Sequence, residues 1–418
     1  MNKLILICNK FPFGYGEEFL NEEIYFLAEA FDSVEVISRN NISEQTREVP
    51  ENVKIKRISP KSRPYKLLST SLKLILEFIP TLRTFIEEIQ IIKNTYSLKI
   101  TIAILKKMFH EYFKASELKY ELLKTLNINN NNYTIYSYWQ DSSALAAALL
   151  TKQNKNIRSI CRSHRSDLYF DQNKLSYLPL RHFISSNINK LVFISQNGLN
   201  YQNNILKSNF TNFYVSRLGT RKIEETKPKI NYSNDNVIVS CSNIITVKRI
   251  ELIIESLSQI TKHKIKWIHI GGGENESNIK TLAYNTLKHK DNISYEFVGR
   301  KKNEFIHEFY NKYQIKIFIN VSASEGIPVS LMEAISYGIP VIATDVGGTK
   351  ELVENAGGIL LEKDFKISIL TNHIINLLED KEYQMKISDN VQKFWKKEYF
   401  ADSNFKEFTK LIRDENRS

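Results

Sequence analysis

The 418-residue chain has few cysteines and no long apolar run, and both absences limit what the protein can be. Its three cysteines, Cys8, Cys161 and Cys241, are far apart and fit neither a metal site nor a redox motif. We therefore expect buried structural thiols in a reducing compartment. No apolar stretch reaches the roughly 18 residues that span a bilayer. The apolar start, Met1–Cys8, is too short for a secretory signal and favours a first strand, so we expect a cytoplasmic protein.

Motifs for several other chemistries are missing as well. No paired-aspartate motif follows a predicted strand, so we expect neither a metal ion nor another cofactor. The glycines at 271–273 do not have the dinucleotide-binding spacing, because the third glycine of that motif would fall at Glu276. The net charge is +12, but no nucleic-acid recognition motif accompanies it. Without such a motif we expect no nucleic acid partner. With 42% hydrophobic and 25% charged residues, the composition is that of a soluble globular protein.

The chain length suits two domains. In both halves, short apolar runs alternate with longer amphipathic stretches, which is the pattern of parallel sheets covered by helices. The predicted strands of the two halves are 4–8, 33–38, 134–137, 157–161 and 191–194, then 237–241, 266–270, 294–298, 315–321 and 341–344. Helices should fill much of 64–125, and the polar stretch 222–236 should link the domains.

The excess of positive charge is concentrated in one part of the first half. Residues 61–124 contain 12 Lys or Arg against 6 Glu. Apolar residues interleave with these charges at roughly helical spacing, for example at Leu68, Leu72 and Ile75. Two interpretations stay open: a basic amphipathic face on an anionic membrane, or helices that cover a sheet with lysines at their rim.

The segment 324–334 is the most informative part of the chain. It reads Ser-Glu-Gly-Ile-Pro-Val-Ser-Leu-Met-Glu-Ala and follows a strand-like run. Pro328 suits the first turn of a helix, and Gly338 suits the position after the last turn. This pattern predicts Glu325 in the loop before a helix and Glu333 on the helix itself.

The start of such a helix presents free N–H groups and a positive dipole end, which bind phosphate. We predict this site at Gly326, Ile327, Pro328, Val329 and Ser330. Ionised carboxylates only accept hydrogen bonds, so Glu325 and Glu333 suit hydroxyl groups. Phosphate together with several hydroxyls describes a nucleotide sugar. A surface turn with two solvated glutamates is the alternative.

The same segment resembles the signature of glycosyltransferase family 4. Glu325, seven intervening residues and Glu333 are present with Gly326, Pro328 and Ala334, and the similarity continues to Glu351. The resemblance implies retaining enzymes of the GT-B fold, an α/β class in which two Rossmann-like domains face each other across a cleft. It implies an acceptor-binding domain at 1–222 and a nucleotide-sugar domain at 223–394. The last helix, about 395–418, would return to the first domain.

The resemblance also implies which residues of the second half bind the donor. In the family an Arg and a Lys five residues apart hold the diphosphate; Lys248 matches the Lys, whereas Asn243 stands at the Arg position. Arg249 would then supply the second positive charge. Gly272 allows a close backbone approach to the nucleotide, with a plain tight turn as the alternative. Gly299, in the segment Phe297–Arg300, would line the base pocket.

In the first half, two loops would face the acceptor. Gly14 and Gly16 allow a tight loop beside a ligand, and Glu18 begins the following helix, although this loop could also simply close over its own sheet. After a predicted strand, His164 and Asp167 resemble the position of the family that lies beside the donor sugar. The flanking arginines, Arg162 and Arg165, would hold an anionic acceptor group.

The implied reaction is transfer of a sugar from a nucleotide diphosphate sugar to a hydroxyl, with retention at the anomeric carbon. His164, Glu325 and Lys248 would be the catalytic residues, with no metal. A saccharide or lipid-linked saccharide at the inner membrane face is the expected acceptor, for capsule, exopolysaccharide or lipopolysaccharide assembly, with the protein in peripheral contact with that membrane. A nucleotide-sugar epimerase and an inactive nucleotide-sugar-binding protein are the alternatives, and Asn243 favours the second of these.

Overall fold

The computed structural model describes residues 2–14, 16–42, 44–58, 82–125, 132–154, 156–223 and 235–413. The chain divides into two compact units: residues 1–216 with 405–418, and residues 217–404. The predicted linker 222–236 and the predicted apolar positions between residues 64 and 81 lie mostly or wholly outside the described residues.

Within the described part of the first unit, seven strands form one parallel sheet in the order β3-β2-β1-β4-β5-β6-β7. The strands are β1 Asn2–Cys8, β2 Ser33–Ser38, β3 Val53–Arg57, β4 Asn132–Ser137, β5 Ile157–Ser163, β6 Lys190–Phe193 and β7 Phe213–Val215. The helices are α1 Leu20–Ala30, α2 82–95, α3 Leu98–Thr125, α4 Ser142–Gln153, α5 Arg181–Asn187 and α6 Gln196–Leu206.

Within the described part of the second unit, six strands form a second parallel sheet in the order β10-β9-β8-β11-β12-β13. The strands are β8 Asn236–Cys241, β9 Ile265–Ile270, β10 Ile293–Gly299, β11 Ile317–Asn320, β12 Val341–Thr344 and β13 Ile359–Leu361. The helices are α7 Ile250–Ser258, α8 Glu276–Leu287, α9 Asn303–Lys312, α10 Val329–Ser336, α11 Thr349–Val353, α12 Ile367–Glu379 and α13 Lys381–Glu398. The last helix, α14 Ala401–Arg413, belongs to the first unit from Phe405 onward.

The predicted α/β class is confirmed: each unit has a parallel sheet with helices on it. All ten predicted strands are present, but β3, β7 and β13 were missed. Two of the missed strands have only three residues, and β3 reads Val-Lys-Ile-Lys-Arg, which has too few apolar residues to stand out from a loop. These three strands lie at sheet edges, where burial is partial and the hydrophobic pattern is weakest.

Two apolar clusters cover the first sheet. One joins strand residues such as Ile135 and Cys161 to the inner faces of α3 and α4. The other joins β1, β2 and α1 to Phe408 and Ile412 of the last helix. The C-terminal segment thus completes the core of the first unit. Among the described helices, none is both long and apolar enough to cross a bilayer.

Candidate functional site

The Glu325–Glu333 segment of the second unit joins β11 to α10. Strand β11 ends at Asn320 and α10 begins at Val329, directly after Pro328. Gly338 follows the helix with a φ of +68°, the left-handed conformation that glycine adopts without steric cost. The structure therefore places Glu325 in the loop and Glu333 on the helix.

Two glycines of the neighbouring loop pack directly on this segment. The Gly348 N–H donates to the Gly326 carbonyl at 2.8 Å. Gly347 has a φ of +54°, and a Cβ atom added to it would lie 1.9 Å from the carbonyl oxygen of Glu325. No residue larger than glycine fits at position 347, so the two loops lie in direct backbone contact. This contact fixes the position of Glu325.

The Glu325 carboxylate forms an ion pair with Lys248, through Nζ and Oε1. The Asn320 side-chain amide donates to the same Oε1 atom at 3.4 Å. Lys248 ends a short 3-10 turn that follows β8, and β8 pairs with β11 in the sheet. The two side chains are 18% and 8% exposed, so an ammonium and a carboxylate meet, largely shielded, at the carboxyl ends of adjacent strands.

Arg249 does not offer the free positive charge that the sequence suggested. Its Nε donates to the Val321 carbonyl at 2.7 Å and its Nη1 to the Lys363 carbonyl at 2.8 Å. The residue has a φ of +49° and directly follows the short turn that ends at Lys248. The structure thus places Arg249 as a clamp between backbone segments, and its contact with the diphosphate stays a prediction.

A different arginine lies beside Asn243. The Arg300 Nη2 group approaches the Asn243 Oδ1 atom at 3.4 Å, and Arg300 is exposed. Arg300 follows β10 directly, in the segment that the family resemblance assigned to the base pocket. A positive charge is therefore present next to position 243 even though that residue is asparagine.

The glycine-rich turn after β9 approaches the protein's own backbone. A Cβ atom on Gly271 would lie 1.8 Å from the Ser242 carbonyl oxygen, and one on Gly273 would lie 2.5 Å from that of Ile244. At Gly272 the nearest atom would be Glu276 Oε2, at 2.9 Å. By contrast, Gly299 has a φ of +76° and open space around its missing Cβ. Tight backbone packing therefore explains why residues 271 and 273 are glycine, whereas Gly299 borders open space.

Glu333 lies inside α10 and is only 4% exposed. Burial raises the pKa of its carboxyl group to about 8. A hydrogen bond with the Asn303 side chain acts in the opposite direction but does not offset the burial. At neutral pH Glu333 is therefore mostly protonated, unless hydroxyl donors reach it.

In the first unit, His164 follows β5 and is buried. Burial, and then the positive charge of Arg162, lower the pKa of His164 to about 3, so the imidazole is neutral at physiological pH. The rings of Tyr138 and Trp139 lie 4.5 and 4.8 Å from it, centroid to centroid. Its Nε2 atom has no hydrogen-bond partner among the described residues.

The Asp167 carboxylate closes the turn after β5. It accepts the His164 N–H at 2.6 Å and the Gln140 N–H at 2.5 Å. Burial raises the pKa of Asp167 to about 7. Asp167 thus joins the ends of β4 and β5, and it orients the chain at His164. Arg165 in the same turn is half-buried.

Arg162 lies in the core rather than at a ligand-facing edge. It is fully buried, pairs with Glu23 of α1, and stacks on the Phe408 ring with its guanidinium carbon 3.9 Å from the centroid. Alternate residues of a strand point to opposite sides, and Ile160 faces the same cluster. This placement gives Arg162 a structural partner in place of the predicted contact with an acceptor, because the guanidinium cannot reach a ligand from there.

The loop between β1 and α1 contains Gly14 and Gly16 with φ values of +62° and +101°. The predicted residue Glu18 is exposed and accepts the Gly16 N–H at 2.8 Å. Arg47 donates to the carbonyls of both glycines at 2.6 Å each. Arg47 therefore holds this loop through hydrogen bonds to its backbone.

Sequence reasoning missed Glu17, the residue that anchors this loop. Its carboxylate accepts the Trp139 indole N–H at 2.5 Å. It also accepts three backbone N–H groups, each at 2.7 Å, from Asn9, Lys10 and Phe11. Two adjacent glutamates give no signal of which one turns inward, since that depends on the φ of +60° at Glu17.

Within the described ranges, no group of three or more His, Cys, Asp or Glu side chains is arranged to hold a metal ion. Of the three cysteines, Cys8 and Cys161 are buried, as expected, whereas Cys241 is half-buried. Burial raises the pKa of each of the three thiols.

Comparison with known proteins places these features in a family context. Residues 222–394 match the family model of glycosyl transferases group 1. An uncharacterized glycosyltransferase of Haemophilus influenzae is 23% identical over 71% of this chain and 79% of its own length. An N,N'-diacetylbacillosaminyl-diphospho-undecaprenol alpha-1,3-N-acetylgalactosaminyltransferase of Campylobacter jejuni is 24% identical over 52% of this chain and 56% of its own.

The fold of the whole chain has solved counterparts. The structure of Anabaena HepE in complex with UDP superposes with a TM-score of 0.67 and 13% identity, covering 99% of this chain and 100% of that one. At this identity the likeness concerns the fold, which is GT-B. The protein is a glycosyltransferase, and residues 222–394 in its second unit match the group 1 family model.

Proposed function

We propose that this glycosyltransferase moves a sugar from a nucleoside diphosphate sugar to a hydroxyl of a saccharide acceptor, with retention at the anomeric carbon. The observation that carries the proposal is the shielded Lys248–Glu325 pair beside the start of α10. Diphosphate would take the ammonium group from Glu325, because two negative charges attract Lys248 more strongly than one carboxylate. Glu325 would then be free to accept hydrogen bonds from the hydroxyls of the donor sugar.

The leaving diphosphate gains negative charge in the transition state of this reaction. Lys248 and the N–H groups at the start of α10 are fixed groups that stabilise such charge. They are arranged before the substrate binds, since Gly347 and Gly348 hold the 325–327 backbone. Arg300, next to Asn243, would add a second positive charge. The proposed reaction uses these residues rather than a metal ion.

Glu333 would hold the ribose hydroxyls of the nucleotide, and this makes binding dependent on proton release. In the free protein its pKa is about 8, so the carboxyl is mostly protonated at pH 7. Two hydroxyl donors favour the ionised form, and the pKa should fall on binding. We expect a nucleoside diphosphate to release up to one proton at pH 7, and fewer above pH 9, where Glu333 is already ionised.

Isothermal titration calorimetry in buffers with different ionisation enthalpies measures this release. Glu333→Gln removes the titrating group and should make the binding enthalpy independent of the buffer. Glu304→Gln, a change at an exposed glutamate of α9, is the matched control and should keep the dependence. Equal proton release by the wild type and Glu333→Gln would contradict the assignment.

We also propose that the acceptor is a lipid-linked saccharide and that α3 contacts the membrane surface. The inner face of α3 is buried against α4, so this helix does cover the sheet. Its outer face exposes apolar side chains around a groove of about 460 Å³, which include Ile102, Phe109 and Phe113. Lys106 borders the same groove. An apolar face with basic residues suits an anionic bilayer surface.

The double substitution Phe109→Glu with Phe113→Glu should weaken vesicle binding at least tenfold. Each exposed phenylalanine can bury apolar area worth about 1.5–3 kcal/mol, and each glutamate adds repulsion from anionic lipid. Co-sedimentation with phosphatidylglycerol vesicles measures the effect. Tyr284→Glu, an exposed aromatic of α8 in the second unit, is the control. Unchanged sedimentation of the double variant would rule out α3 as the contact.

A donor panel tests the proposed reaction directly. UDP-, GDP- and ADP-sugars are incubated with the protein, with and without a diphospho-undecaprenol-linked saccharide, and free nucleotide and product are measured. A transferase releases nucleotide in step with product, and NMR of the product reports the anomeric configuration. An epimerase would convert the donor without acceptor, and an inactive binding protein would release no nucleotide. An inverted linkage would refute retention.

A further inference from the structure

A buried histidine lies near the end of β9 in the second unit. His269 is fully buried and is opposite Ser240 of β8 in the sheet register. Its imidazole packs between the rings of Trp267 and Phe297, whose centroids are 6.2 and 5.9 Å away. Burial lowers the pKa of His269 to about 4, so the ring is neutral at physiological pH. A neutral imidazole has one N–H group, and its hydrogen-bond partners decide which nitrogen carries it.

The partners of His269 place this proton on Nε2. The Nε2 atom lies 3.2 Å from the Ser242 carbonyl oxygen, which can only accept. The Nδ1 atom lies 2.9 Å from the Ser240 hydroxyl, which can therefore donate to it. The same hydroxyl accepts the Trp267 indole N–H at 3.0 Å. A chain of buried hydrogen bonds thus runs from Trp267 through Ser240 and His269 to the backbone of the loop after β8.

That loop is tied to the end of β9 by two backbone hydrogen bonds as well. The Ser242 N–H donates to the Ile270 carbonyl at 3.0 Å. The Ile244 N–H donates to the Gly272 carbonyl at 3.1 Å. Asn243 lies between these two contacts, at the position where the family resemblance leads us to expect an arginine. The imidazole of His269 therefore supports the residue that directly precedes Asn243.

Holding the Ser242 carbonyl also fixes the direction of the next N–H group. The peptide bond between Ser242 and Asn243 is trans, so its C=O and N–H groups point in opposite directions. Because the carbonyl oxygen lies against His269 of β9, the Asn243 N–H points away from β9. This N–H forms no hydrogen bond within the described ranges, and Asn243 is exposed. A directed backbone donor is therefore available just beyond the carboxyl end of β8.

We propose that His269 is a positioning residue of the donor site, which holds the Ser242 carbonyl so that the Asn243 N–H is presented to the diphosphate. Phosphate oxygens accept hydrogen bonds, and backbone N–H groups in loops bind them. The Asn243 N–H would act together with Lys248 and with Arg300, which approaches the Asn243 side chain. The part of His269 in donor binding rests on the proposed function, whereas its hold on the loop does not.

Hydrogen–deuterium exchange of the protein without ligand tests the hold on the loop. His269→Phe keeps an aromatic ring in the core but loses both ring nitrogens. Exchange of the Ser242 and Ile244 N–H groups should become roughly tenfold faster in this variant. His269→Asn, whose amide lies nearer the backbone, tests the same loss with a different side chain and should behave alike. His269→Gln keeps an N–H donor at the end of a longer side chain and should restore most of the protection.

The same variants separate donor binding from a general loss of stability. Calorimetry with UDP, GDP and ADP should show roughly tenfold weaker binding by His269→Phe, for whichever nucleotide the wild type binds. His269→Gln should bind more tightly than His269→Phe. In steady-state kinetics, His269→Phe should raise KM for the donor and leave KM for the acceptor unchanged. A smaller folded fraction would instead lower kcat and leave both KM values unchanged.

Thr371→Val is the matched control for the loss of a buried hydrogen bond in the same unit. The Thr371 hydroxyl donates to the Ser256 carbonyl at 3.1 Å, between α12 and α7, and Thr371 is buried. Valine keeps the shape of the side chain and removes the hydroxyl. This variant should lose thermal stability, and it should keep the wild-type exchange at Ser242 and Ile244 and the wild-type nucleotide affinity.

Two results overturn the positioning role of His269. One is wild-type exchange at Ser242 and Ile244 in both His269→Phe and His269→Asn. The other is wild-type nucleotide affinity in these variants despite faster exchange. A wild-type protein that binds no nucleoside diphosphate would refute the proposed function and the part of His269 in donor binding. The exchange measurements would still decide whether His269 holds the loop.

Discussion

Lys248→Ala and Glu325→Gln should each lower the transfer rate by a factor of about 10²–10³ or more, in a protein that still folds. Lys248 is a shielded positive charge that pairs with Glu325 in the loop before α10, and removing one fixed donor for transition-state charge costs about that factor. Glu325→Gln keeps the shape of the side chain but loses the negative charge that orients the donor sugar. Steady-state kinetics with saturating donor and acceptor measure the loss.

The two variants should differ in stability. Lys248→Ala leaves the Glu325 carboxylate, 8% exposed, without its ion-pair partner, which lowers the free energy of unfolding. Glu325→Gln leaves Lys248, which is 18% exposed, beside a neutral side chain. We expect the lower melting temperature for Lys248→Ala. Lys262→Ala, at an exposed lysine of the second unit, is the control and should keep both rate and melting temperature. Wild-type turnover by either site variant would remove that residue from the mechanism.

Gly347→Ala should reduce activity by a similarly large factor, although residue 347 need not contact the substrate. The added Cβ would lie 1.9 Å from the Glu325 carbonyl oxygen, so the two loops must separate. That movement displaces Glu325 and the 326–330 backbone from the arrangement that positions phosphate. A displacement of about 1 Å can cost roughly a hundredfold in rate.

Gly357→Ala is the matched control for this prediction. Gly357 also has a positive φ, +75°, so alanine there meets the same backbone strain. Its added Cβ would meet only the flexible Asn390 side chain, at 3.3 Å. We expect both variants to lose some thermal stability, and Gly347→Ala alone to lose activity. Equal activities would show that the contact between the loops does not support the reaction.

Most of the strands that the sequence predicted are buried on both faces, although β10, a mostly half-buried edge strand, was predicted as well. In β1 the apolar run Leu4–Cys8 is dictated by the helices on each side of a parallel sheet, so the pattern is visible locally. The edge strand β3 has charged residues at alternate positions and was missed. Helix α10 was recognisable because its start and end have local chemical signals, Pro328 and Gly338.

The predicted site residues also differ in whether their placement depends on one segment of the chain or on tertiary packing. The loop position of Glu325 and the helix position of Glu333 were predictable because a fixed spacing across a loop and a helix is a property of one segment. Arg162 and Arg249 were assigned ligand contacts because both arginines are next to promising residues in the chain. The structure places Arg162 in the core, where it pairs with Glu23, and Arg249 donates to backbone carbonyls. The direction in which a side chain points from a strand or a turn depends on what packs against that strand or turn.

By itself, the sequence determined the α/β class, the strand–loop–helix start at 315–336, and the presence of a carboxylate pair beside it. Those features come from local patterns of apolar residues, caps and spacing. The tertiary structure alone decided that Lys248 meets Glu325 and that Glu17 anchors the first loop. Each of these contacts joins residues from different elements, and their distance depends on how a whole sheet and its helices pack.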